Sequence, residues 1–348
     1  MSFRRFVYLV MNDTKRRDFP LRRIDASRLF FPKGERPAAV PLPLEDARLP
    51  PAAIRFSPPI TDTCNGDMEF MLLGGGGGRK RSKVVAADHT GRCVLYDPAL
   101  RTIRTLPELS APKFMAAALP IGDDDLYILD KHFHLNPSRD DCFDALIFNE
   151  EEGDWDSYAL PPPPYADTYD PDYQRFRAHI ISYTVVGDGR GGSSIWVSKK
   201  GLGTHSFNIG TAKWTKAGDW ALPFWGPGRY IPKHKLWIGL SADEDDGVVC
   251  AVDLTEKKQP AVPHILWKDP PTPPDWKGKS SFLVHLGHSR FCLARFFWIV
   301  QPGGLPCIKF VLFTGLEVER SNGGEELHMV KHRSHRYSLV NNLIHWVL

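Results

Sequence analysis

The stretch Tyr96-Asp97-Pro98-Ala99-Leu100-Arg101-Thr102-Ile103 decides the fold, because its pattern recurs without gaps at two later points. The further copies run from Phe148 to Trp155 and from Phe207 to Trp214. In each copy an aromatic residue is followed by an acid or an amide, and a large apolar residue stands seven positions after the aromatic. Aromatic and apolar residues favour strands, and Asp or Asn between them favours a turn. Each copy is therefore predicted to be a β-hairpin.

Short strands and turn signals surround the three copies. A Leu-Pro follows each copy and is predicted to end a strand, at Leu106-Pro107, Leu160-Pro161 and Leu222-Pro223. Apolar strands are predicted ahead of the later repeats at 126–129, 195–197 and 236–238, the last in a fourth repeat that continues through 247–253. Several short strands in a unit that recurs about every 45 to 60 residues are typical of propeller blades.

Both ends of the chain are also predicted to form strands. They lie at 6–10, 21–24, 53–56, 281–286, 290–300, 308–313 and 326–330. Added to the internal repeats, they predict an all-β β-propeller of about six blades, with five as the alternative count. Strands from the two ends are expected to share a blade, because this removes exposed sheet edges. We predict a single domain over residues 1–348, and two β-sandwiches with a boundary near 270–274 are the competing architecture.

The composition agrees with many short elements. The 348 residues are 42% hydrophobic, and 30 prolines and 29 glycines interrupt regular structure often. No apolar run reaches the ~18 residues of a membrane span, so we expect a soluble protein without a membrane partner. The net charge of +3 does not by itself indicate nucleic-acid binding.

The spacing of the cysteines and the N-terminal residues indicate the cellular compartment of the protein. Six cysteines form no CxxC pair and no short-range framework, which favours reduced thiols in the cytoplasm or the nucleus. The N-terminal apolar run ends at Asn12, so a first strand is favoured over a signal peptide. The basic residues around that run leave a mitochondrial transit peptide as the alternative.

The repeat resembles the kelch pattern, in which an apolar strand, an aromatic–Asp turn, a Trp and a Leu-Pro follow one another. The kelch double glycine is missing after 127–129 and after 196–197. Nearly the whole chain is similar to an uncharacterised plant family, expanded in grasses and known only as a domain of unknown function. The matching stretches are RRFVYLV (4–10), LYDPALRTIRTLPELSAPK (95–113), HKLWIGLSADEDDGVVCAVDL (234–254), LVHLGHSRFCLARFF (283–297) and LHMVKHRSHRYSL (327–339).

This resemblance implies a kelch-like or F-box-associated type of β-propeller. It implies no established activity, and it supplies no catalytic residues to carry over. Related plant propellers often follow an F-box in ubiquitin-ligase adaptors. This sequence is predicted to begin directly with a strand, so we do not expect an adaptor role through an F-box.

Two basic segments have a chemical interpretation. The glycine run at 74–78 lacks the G-x-x-x-x-G-K-[ST] pattern of a phosphate loop and is predicted to be a flexible linker. The basic patch that follows it, Arg79, Lys80, Arg81 and Lys83, is predicted to be a solvated loop or a contact for phosphate groups. We do not expect nucleic acid as a partner unless this patch shares a face with the basic segment 331–336.

The sequence contains histidine pairs and acidic runs, but their spacing does not match the known patterns of metal ligands. The pairs 132/134, 285/288 and 332/335 lack zinc-ligand spacing, and the runs 123–125 and 243–246 lack the calcium-loop series. Surface histidines and solvated turns are predicted, with no metal and no cofactor. No G-x-S-x-G motif occurs either. We predict no catalytic residue and expect that the protein is not an enzyme.

The tryptophans divide into two groups. Tryptophans at repeat-equivalent positions are predicted to pack in the core, between blades: Trp155, Trp196, Trp214 and Trp237. Predicted loops hold the candidate partner-binding residues: Trp220, Trp225 and Trp276. We therefore predict a non-enzymatic, scaffold- or adaptor-like interaction propeller that binds an unknown protein partner. The alternative is a propeller that binds or acts on a small molecule or glycan, with a central-channel site built from several blades.

Overall fold

The structure is a computed structural model, and it contains almost no helix. It describes residues 3–32, 35, 44–60, 66–74, 82–131, 141–164, 180–187, 192–199, 201–242, 247–255, 262–269, 272–299, 308–321, 326–339 and 345–348. Within these ranges the regular structure is β-strand, apart from one short 3-10 helix at Ala26–Leu29. The prediction of an all-β protein is confirmed.

The strands are short in the first three quarters of the chain and longer near its end. The first half comprises β1 Phe6–Met11, β2 Phe19–Asp25, β3 Glu45–Ala47, β4 Ala52–Phe56, β5 Met68–Leu73, β6 Lys83–Asp88, β7 Cys93–Asp97, β8 Thr102–Leu106, β9 Ala117–Ile121, β10 Asp125–Leu129, β11 Phe143–Asn149, β12 Asp154–Ala159 and β13 Ile180–Gly187. The second half comprises β14 Ser193–Lys199, β15 Gly203–Asn208, β16 Lys213–Gly218, β17 Gly226–Pro227, β18 Arg229–Ile231, β19 Leu236–Leu240, β20 Val249–Val252, β21 His264–Trp267, β22 Trp276–Gly287, β23 Arg290–Ile299, β24 Ile308–Arg320, β25 Leu327–Leu339 and β26 His345–Val347.

These strands form the six sheets of a six-bladed β-propeller, which confirms the predicted blade count. In hydrogen-bonding order the sheets are β26-β1-β2-β4, β5-β6-β7-β8, β12-β11-β10-β9, β16-β15-β14-β13-β17, β18-β19-β20-β21 and β22-β23-β24-β25-β3. Strand β26 pairs antiparallel with β1, with Val10 opposite Trp346. The prediction that the two ends of the chain share a sheet is therefore confirmed.

By its internal contacts the chain divides into two compact units. Unit 1 comprises Met1–Ser57, Asp243–Ala251 and His264–Leu348, and unit 2 comprises Pro58–Ala242 and Val252–Pro263. In unit 1 the apolar faces of β1, β23 and β24 pack together around buried residues such as Leu9, Cys292 and Phe313. In unit 2 Phe143 and Phe207 are buried in one apolar cluster, and Leu95 and Trp155 in another.

The three aligned copies form the predicted hairpins. The aromatic residue of each copy stands directly opposite the apolar residue seven positions later: Tyr96 opposite Ile103, Phe148 opposite Trp155, and Phe207 opposite Trp214. The acid or amide that follows each aromatic accepts backbone N–H groups two or three residues further on. These side chains fix the turn, because they replace the hydrogen bonds that a tight bend takes from the backbone.

The repeat-equivalent tryptophans pack as predicted. Trp155, Trp196 and Trp237 are buried, and Trp214 is half-buried against the Phe207 ring, 5.1 Å away between centroids. The indole N–H groups of Trp155, Trp214 and Trp237 donate to backbone carbonyls, as at Trp155 Nε1, which donates to the Asp124 carbonyl at 2.7 Å. The rings therefore fill the core while their polar atoms stay satisfied.

Several predicted strand boundaries were wrong, among them the start of β22 at Trp276 and the end of β24 at Arg320. Leu106 ends β8 and Leu160 directly follows β12, but Leu222 lies beyond the end of β16 at Gly218. Strand β25 continues past 330 to Leu339 and includes the basic segment 331–336. In this segment Ser334 has a buried polar partner, because its Oγ lies 2.9 Å from Thr314 Oγ1.

The reading of 123–125 as a solvated turn was also wrong in part. Asp124 is buried and its carboxylate lies 3.4 Å from Lys83 Nζ. Asp125 accepts the Phe148 N–H at 3.0 Å. Asp123 and Asp124 lie in the β9–β10 turn as expected and Asp125 opens β10, but Asp124 and Asp125 contact neighbouring strands.

Candidate functional site

Five polar residues of unit 2 form the inner-strand cluster: Glu69, Asp130, Lys131, Tyr183 and Arg229. Glu69 belongs to β5 and Arg229 to β18, and both strands stand at the edge of their sheets. Tyr183 lies on β13, which has only the two-residue strand β17 beyond it. Asp130 and Lys131 directly follow β10. Four separate sheets therefore contribute to one group of charged and polar side chains.

Backbone contacts hold Arg229 next to Tyr183. Residues 226–227 pair in parallel with 182–183, and the Gly228 N–H donates to the Tyr183 carbonyl at 2.9 Å. The Thr184 hydroxyl donates to the Gly228 carbonyl at 2.8 Å. A Cβ at Gly228 would collide with the buried ring of Phe224, so glycine allows this close approach. The guanidinium therefore starts from a fixed backbone position.

Burial governs the electrostatics of the cluster. Burial lowers the pKa of Lys131, against the opposing pull of Glu69 and then Asp130. Burial likewise lowers the pKa of Arg229, and only Tyr183 opposes that shift. The pKa of Tyr183 rises to about 12, chiefly because of burial, so its hydroxyl stays protonated and able to donate at neutral pH. Two carboxylates thus act on the pKa of Lys131, whereas no carboxylate is among the causes that shift the pKa of Arg229.

The two cations of the cluster are available to a ligand. Lys131 Nζ lies 5.9 Å from the centre of the Tyr183 ring, in reach of a weak cation–π contact. In the part of the chain that the structure describes, neither Lys131 nor Arg229 makes a hydrogen bond or an ion pair. Both remain partly accessible although protein surrounds them. A desolvated guanidinium with unused donors favours an anionic partner.

A second group of charges in unit 2 is fully satisfied. The Lys113 ammonium pairs with the Asp144 carboxylate, and both side chains are completely buried. Lys113 also donates to the carbonyls of Ala111 and Asp141, at 2.7 and 2.8 Å. The Ser110 N–H and hydroxyl donate to Asp144 at 3.1 and 2.9 Å. This buried pair fixes the loop between β8 and β9, with no unused group for a ligand.

Among the candidate partner-binding residues, Trp225 is the most accessible. Its side chain is 54% exposed, while its backbone N–H donates to the Leu240 carbonyl at 2.8 Å. Trp220 is half-buried, with its ring 5.5 Å from that of Trp196. Trp276 begins β22 instead of lying in a loop, and it packs on Phe310 at 4.6 Å. The three residues thus have different environments, and partner binding by them stays a prediction.

The basic patch lies mostly outside the described residues, which include Lys83 but not Arg79, Lys80 or Arg81. Lys83 opens strand β6 and pairs with Asp124, and its ammonium lies 5.1 Å from the Trp155 ring centre. Its charge therefore serves contacts within unit 2.

The histidine pairs have separate partners. His132 and His134 lie outside the described residues. His285 Nε2 lies 3.2 Å from the His288 carbonyl, His332 Nε2 lies 3.3 Å from Glu317, and His335 Nε2 lies 3.2 Å from Glu45. No group of three His, Cys, Asp or Glu side chains in the described residues is arranged to hold a metal ion.

Sequence reasoning missed the inner-strand cluster because its members belong to no motif. One signal was present: Glu69 interrupts the apolar run Met68-Glu69-Phe70-Met71-Leu72-Leu73, and it is buried there. A carboxylate inside a buried strand is rarely tolerated without a partner. That Glu69 acts electrostatically on Lys131, 62 positions along the chain, follows only from the fold.

The fold is a β-propeller, and the inner-strand cluster is a group of charged and polar side chains from four of its sheets. The chain belongs to the family described as "Protein of unknown function (DUF1668)", which matches residues 4–337. This confirms the similarity to a domain of unknown function over nearly the whole length.

Comparisons with other known proteins add little on function. A search of curated proteins gave no match. Among solved structures, the chain is similar to a protein from Lactobacillus plantarum, with 12% identity, a TM-score of 0.45 and all of both chains covered. It is also similar to BBS1N in complex with ARL6DN, with 11% identity, a TM-score of 0.33, and 84% of this chain and 88% of that chain covered. In the described residues no helix is long and apolar enough to cross a membrane.

Proposed function

We propose that the protein is a non-enzymatic interaction propeller that binds a protein partner through loops of unit 2. The observation that carries this proposal is the exposure of Trp225 on a backbone that is held by hydrogen bonds. Tryptophan is enriched among the residues that dominate binding energy at interfaces. A loop that is already ordered loses little entropy on binding, so more of the contact energy is retained as affinity.

A second loop of unit 2 supports the same proposal. Phe114 and Met115 are 48% and 58% exposed. They lie in the loop between β8 and β9, which the buried Lys113–Asp144 pair anchors. Met115 has a φ of +49°, a left-handed conformation that is unfavourable for a residue other than glycine. Two neighbouring apolar side chains held out to solvent on a strained backbone are consistent with a contact surface.

The chemistry of the thiols supports the non-enzymatic part of the proposal. Cys93 and Cys142 are buried, and burial raises the pKa of each thiol to about 12. They are therefore protonated at neutral pH and poor nucleophiles. Buried thiols outside disulfides also support a reducing compartment, and we propose the cytoplasm or the nucleus. The aromatic–Asx hairpins support a kelch-like type of repeat.

The test compares capture of a partner by the wild-type chain and by Trp225→Ala. Both are immobilised and exposed to an extract of the source organism, and bound proteins are quantified by mass spectrometry. We expect Trp225→Ala to lose a specific partner at least tenfold, the effect of removing one interface hot spot of about 2 kcal/mol. Phe114→Ala is expected to reduce capture of the same partner.

The matched control is Tyr158→Ala, because Tyr158 is an aromatic residue of similar exposure, 50%, on the outer strand β12. Unchanged capture by Trp225→Ala would overturn the proposal. Equal loss in Tyr158→Ala would show that any exposed aromatic residue supports the capture. Urea denaturation of each variant verifies that it is folded.

A second candidate function is small-molecule binding at the inner-strand cluster. It is supported by the partly accessible, desolvated Lys131 and Arg229 beside a protonated Tyr183. Charged groups with perturbed pKa values that converge from several sheets are typical of ligand sites.

A further inference from the structure

Three lysines surround one tryptophan at one end of the long-stranded sheet of unit 1. Lys277, Trp298 and Lys309 stand directly opposite one another on β22, β23 and β24, so their side chains share one face of the sheet. Lys279 lies in the β-bulge of β22, where the pairing register shifts. Its Nζ lies 5.0 Å from the centre of the Trp298 ring, and Lys309 Nζ lies 5.5 Å from it. These four residues form one surface, the lysine–tryptophan row.

The lysines of this row have no counter-charge. In the described residues none of their three ammonium groups makes an ion pair or a hydrogen bond. Asp275, just ahead of β22, is the acid nearest to them in sequence, and it is exposed and pairs with none of them. The segments 300–307 and 340–344, which follow β23 and β25, contain neither Asp nor Glu. The row therefore carries three positive charges that its own sheet does not neutralise.

Other cations of the same sheet are paired. Three of its arginines have a carboxylate at 3.2, 2.8 and 2.6 Å, respectively: Glu317 for Arg290, Asp269 for Arg295, and Asp46 for Arg336. In the lysine–tryptophan row, by contrast, Lys277 and Lys279 are exposed, and Lys309 and Trp298 are partly exposed. Charges that hold strands and loops of this sheet are neutralised within the chain, whereas the charges of the row face solvent.

We propose that the lysine–tryptophan row binds an acidic segment of a protein partner. Carboxylates on alternate residues of an extended segment lie on the same side, about 7 Å apart, within reach of the long lysine side chains. The indole of Trp298 holds two of the ammonium groups by cation–π contacts, which reduces the entropy that these lysines lose when ion pairs form. Complementary charge of this kind speeds association and selects the partner.

The geometry of the row favours an acidic peptide over single-stranded nucleic acid. Nucleic acid gains much of its affinity by stacking bases on free aromatic faces. Trp298 is only partly exposed, and two ammonium groups already lie at its ring. Lysine also lacks the planar fork with which arginine binds a phosphate group through two N–H donors. Carboxylates need only the ammonium groups.

The experiment measures binding of three fluorescent probes to the full chain by anisotropy. They are a peptide amide of alternating glutamate and serine, the same peptide with glutamine in place of glutamate, and an oligothymidylate. We expect the glutamate peptide to bind more tightly than the other two, and its binding to weaken with added salt, because exposed ion pairs are screened.

The double variant Lys277→Met with Lys309→Met is expected to weaken binding of the glutamate peptide by roughly tenfold. Trp298→Leu is expected to weaken it less, because the three charges remain. The matched control, Lys213→Met with Lys216→Met, removes two exposed lysines from β16 of unit 2 and is expected to bind as wild type. Urea denaturation verifies that each variant is folded.

Several outcomes would overturn the proposal. They are no binding of the glutamate peptide, equal binding of the glutamine peptide, tighter binding of the oligothymidylate, unchanged binding by the Lys277 and Lys309 variant, or equal loss in the control. The proposal does not depend on Trp225, which belongs to unit 2. Trp225→Ala is expected to keep peptide binding, so a failed partner capture through Trp225 and a failed lysine–tryptophan row are told apart.

Discussion

Unit 2 contains two groups of buried charge that differ in one respect. Lys113 is completely enclosed and has three acceptors, the Asp144 carboxylate and two carbonyls. Arg229 is desolvated, has no ion pair among the described residues, and stays partly accessible. A buried cation that stabilises the fold has acceptors within the protein. A buried cation without such acceptors lowers stability, and we expect it to bind a ligand.

Breaking the buried Lys113–Asp144 pair is expected to have the largest effect on the free energy of unfolding. Lys113→Met leaves the Asp144 carboxylate buried without a counter-charge, and it removes the donor to the carbonyls of Ala111 and Asp141. Loss of one partner of a buried pair costs about 3–5 kcal/mol. We therefore expect the free energy of unfolding, measured by urea denaturation, to fall by about that amount.

The control for this prediction is the double variant Lys113→Met with Asp144→Leu. Because it removes both charges, it is expected to be more stable than Lys113→Met alone. A single variant that loses less than about 1 kcal/mol would show that the pair does not anchor its loop.

The burial of Tyr183 can be tested by measuring the free energy of unfolding at high pH. Its pKa in the folded protein is about 12, above the ordinary value of 10, so the unfolded state ionises first as the pH rises. Its contribution to stability is complete below pH 10 and is lost as the pH approaches 12. We expect Tyr183→Phe to reduce the loss of stability by up to about 1.4 kcal/mol per pH unit in that window.

The buried thiols of Cys93 and Cys142 add to the alkaline loss in both proteins, because their pKa values are also raised to about 12. The comparison of wild type with Tyr183→Phe isolates the phenol. Parallel pH profiles of the two proteins would contradict the enclosure of Tyr183 in the cluster.

Local pattern in the sequence was enough to predict the hairpins. The aromatic residue, the Asx turn and the apolar residue seven positions later are close in sequence. Their spacing therefore determines which residues stand opposite each other in the hairpin. The shared sheet of β1 and β26 followed from a general argument about edges. The continuation of β25 through the basic segment 331–336 was not predicted, because a run of charged residues does not by itself indicate a strand.

The inner-strand cluster could not be predicted in the same way. Glu69, Lys131, Tyr183 and Arg229 come from different sheets, and their proximity depends on how inner strands of successive repeats approach each other. A central-channel site was among the alternatives, but no motif named its residues. The exposed residues were partly predictable, since Trp225 lies in a loop as expected, whereas the packing of Trp276 on Phe310 depends on the start of β22.

The smallest effect on the free energy of unfolding is expected for Arg229→Met, which is compared directly with Lys113→Met. Arg229→Met keeps an unbranched apolar stem but removes a guanidinium that has no ion pair among the described residues. We expect the free energy of unfolding to stay within about 1 kcal/mol of wild type, or to rise by that much, since replacing a buried charge by an apolar side chain is often neutral or stabilising. The same urea denaturation that reports the large loss in Lys113→Met measures this difference. A loss of more than about 2 kcal/mol in Arg229→Met would mean that the fold depends on the guanidinium, as it does on Lys113, and would remove the reason to assign Arg229 to a ligand.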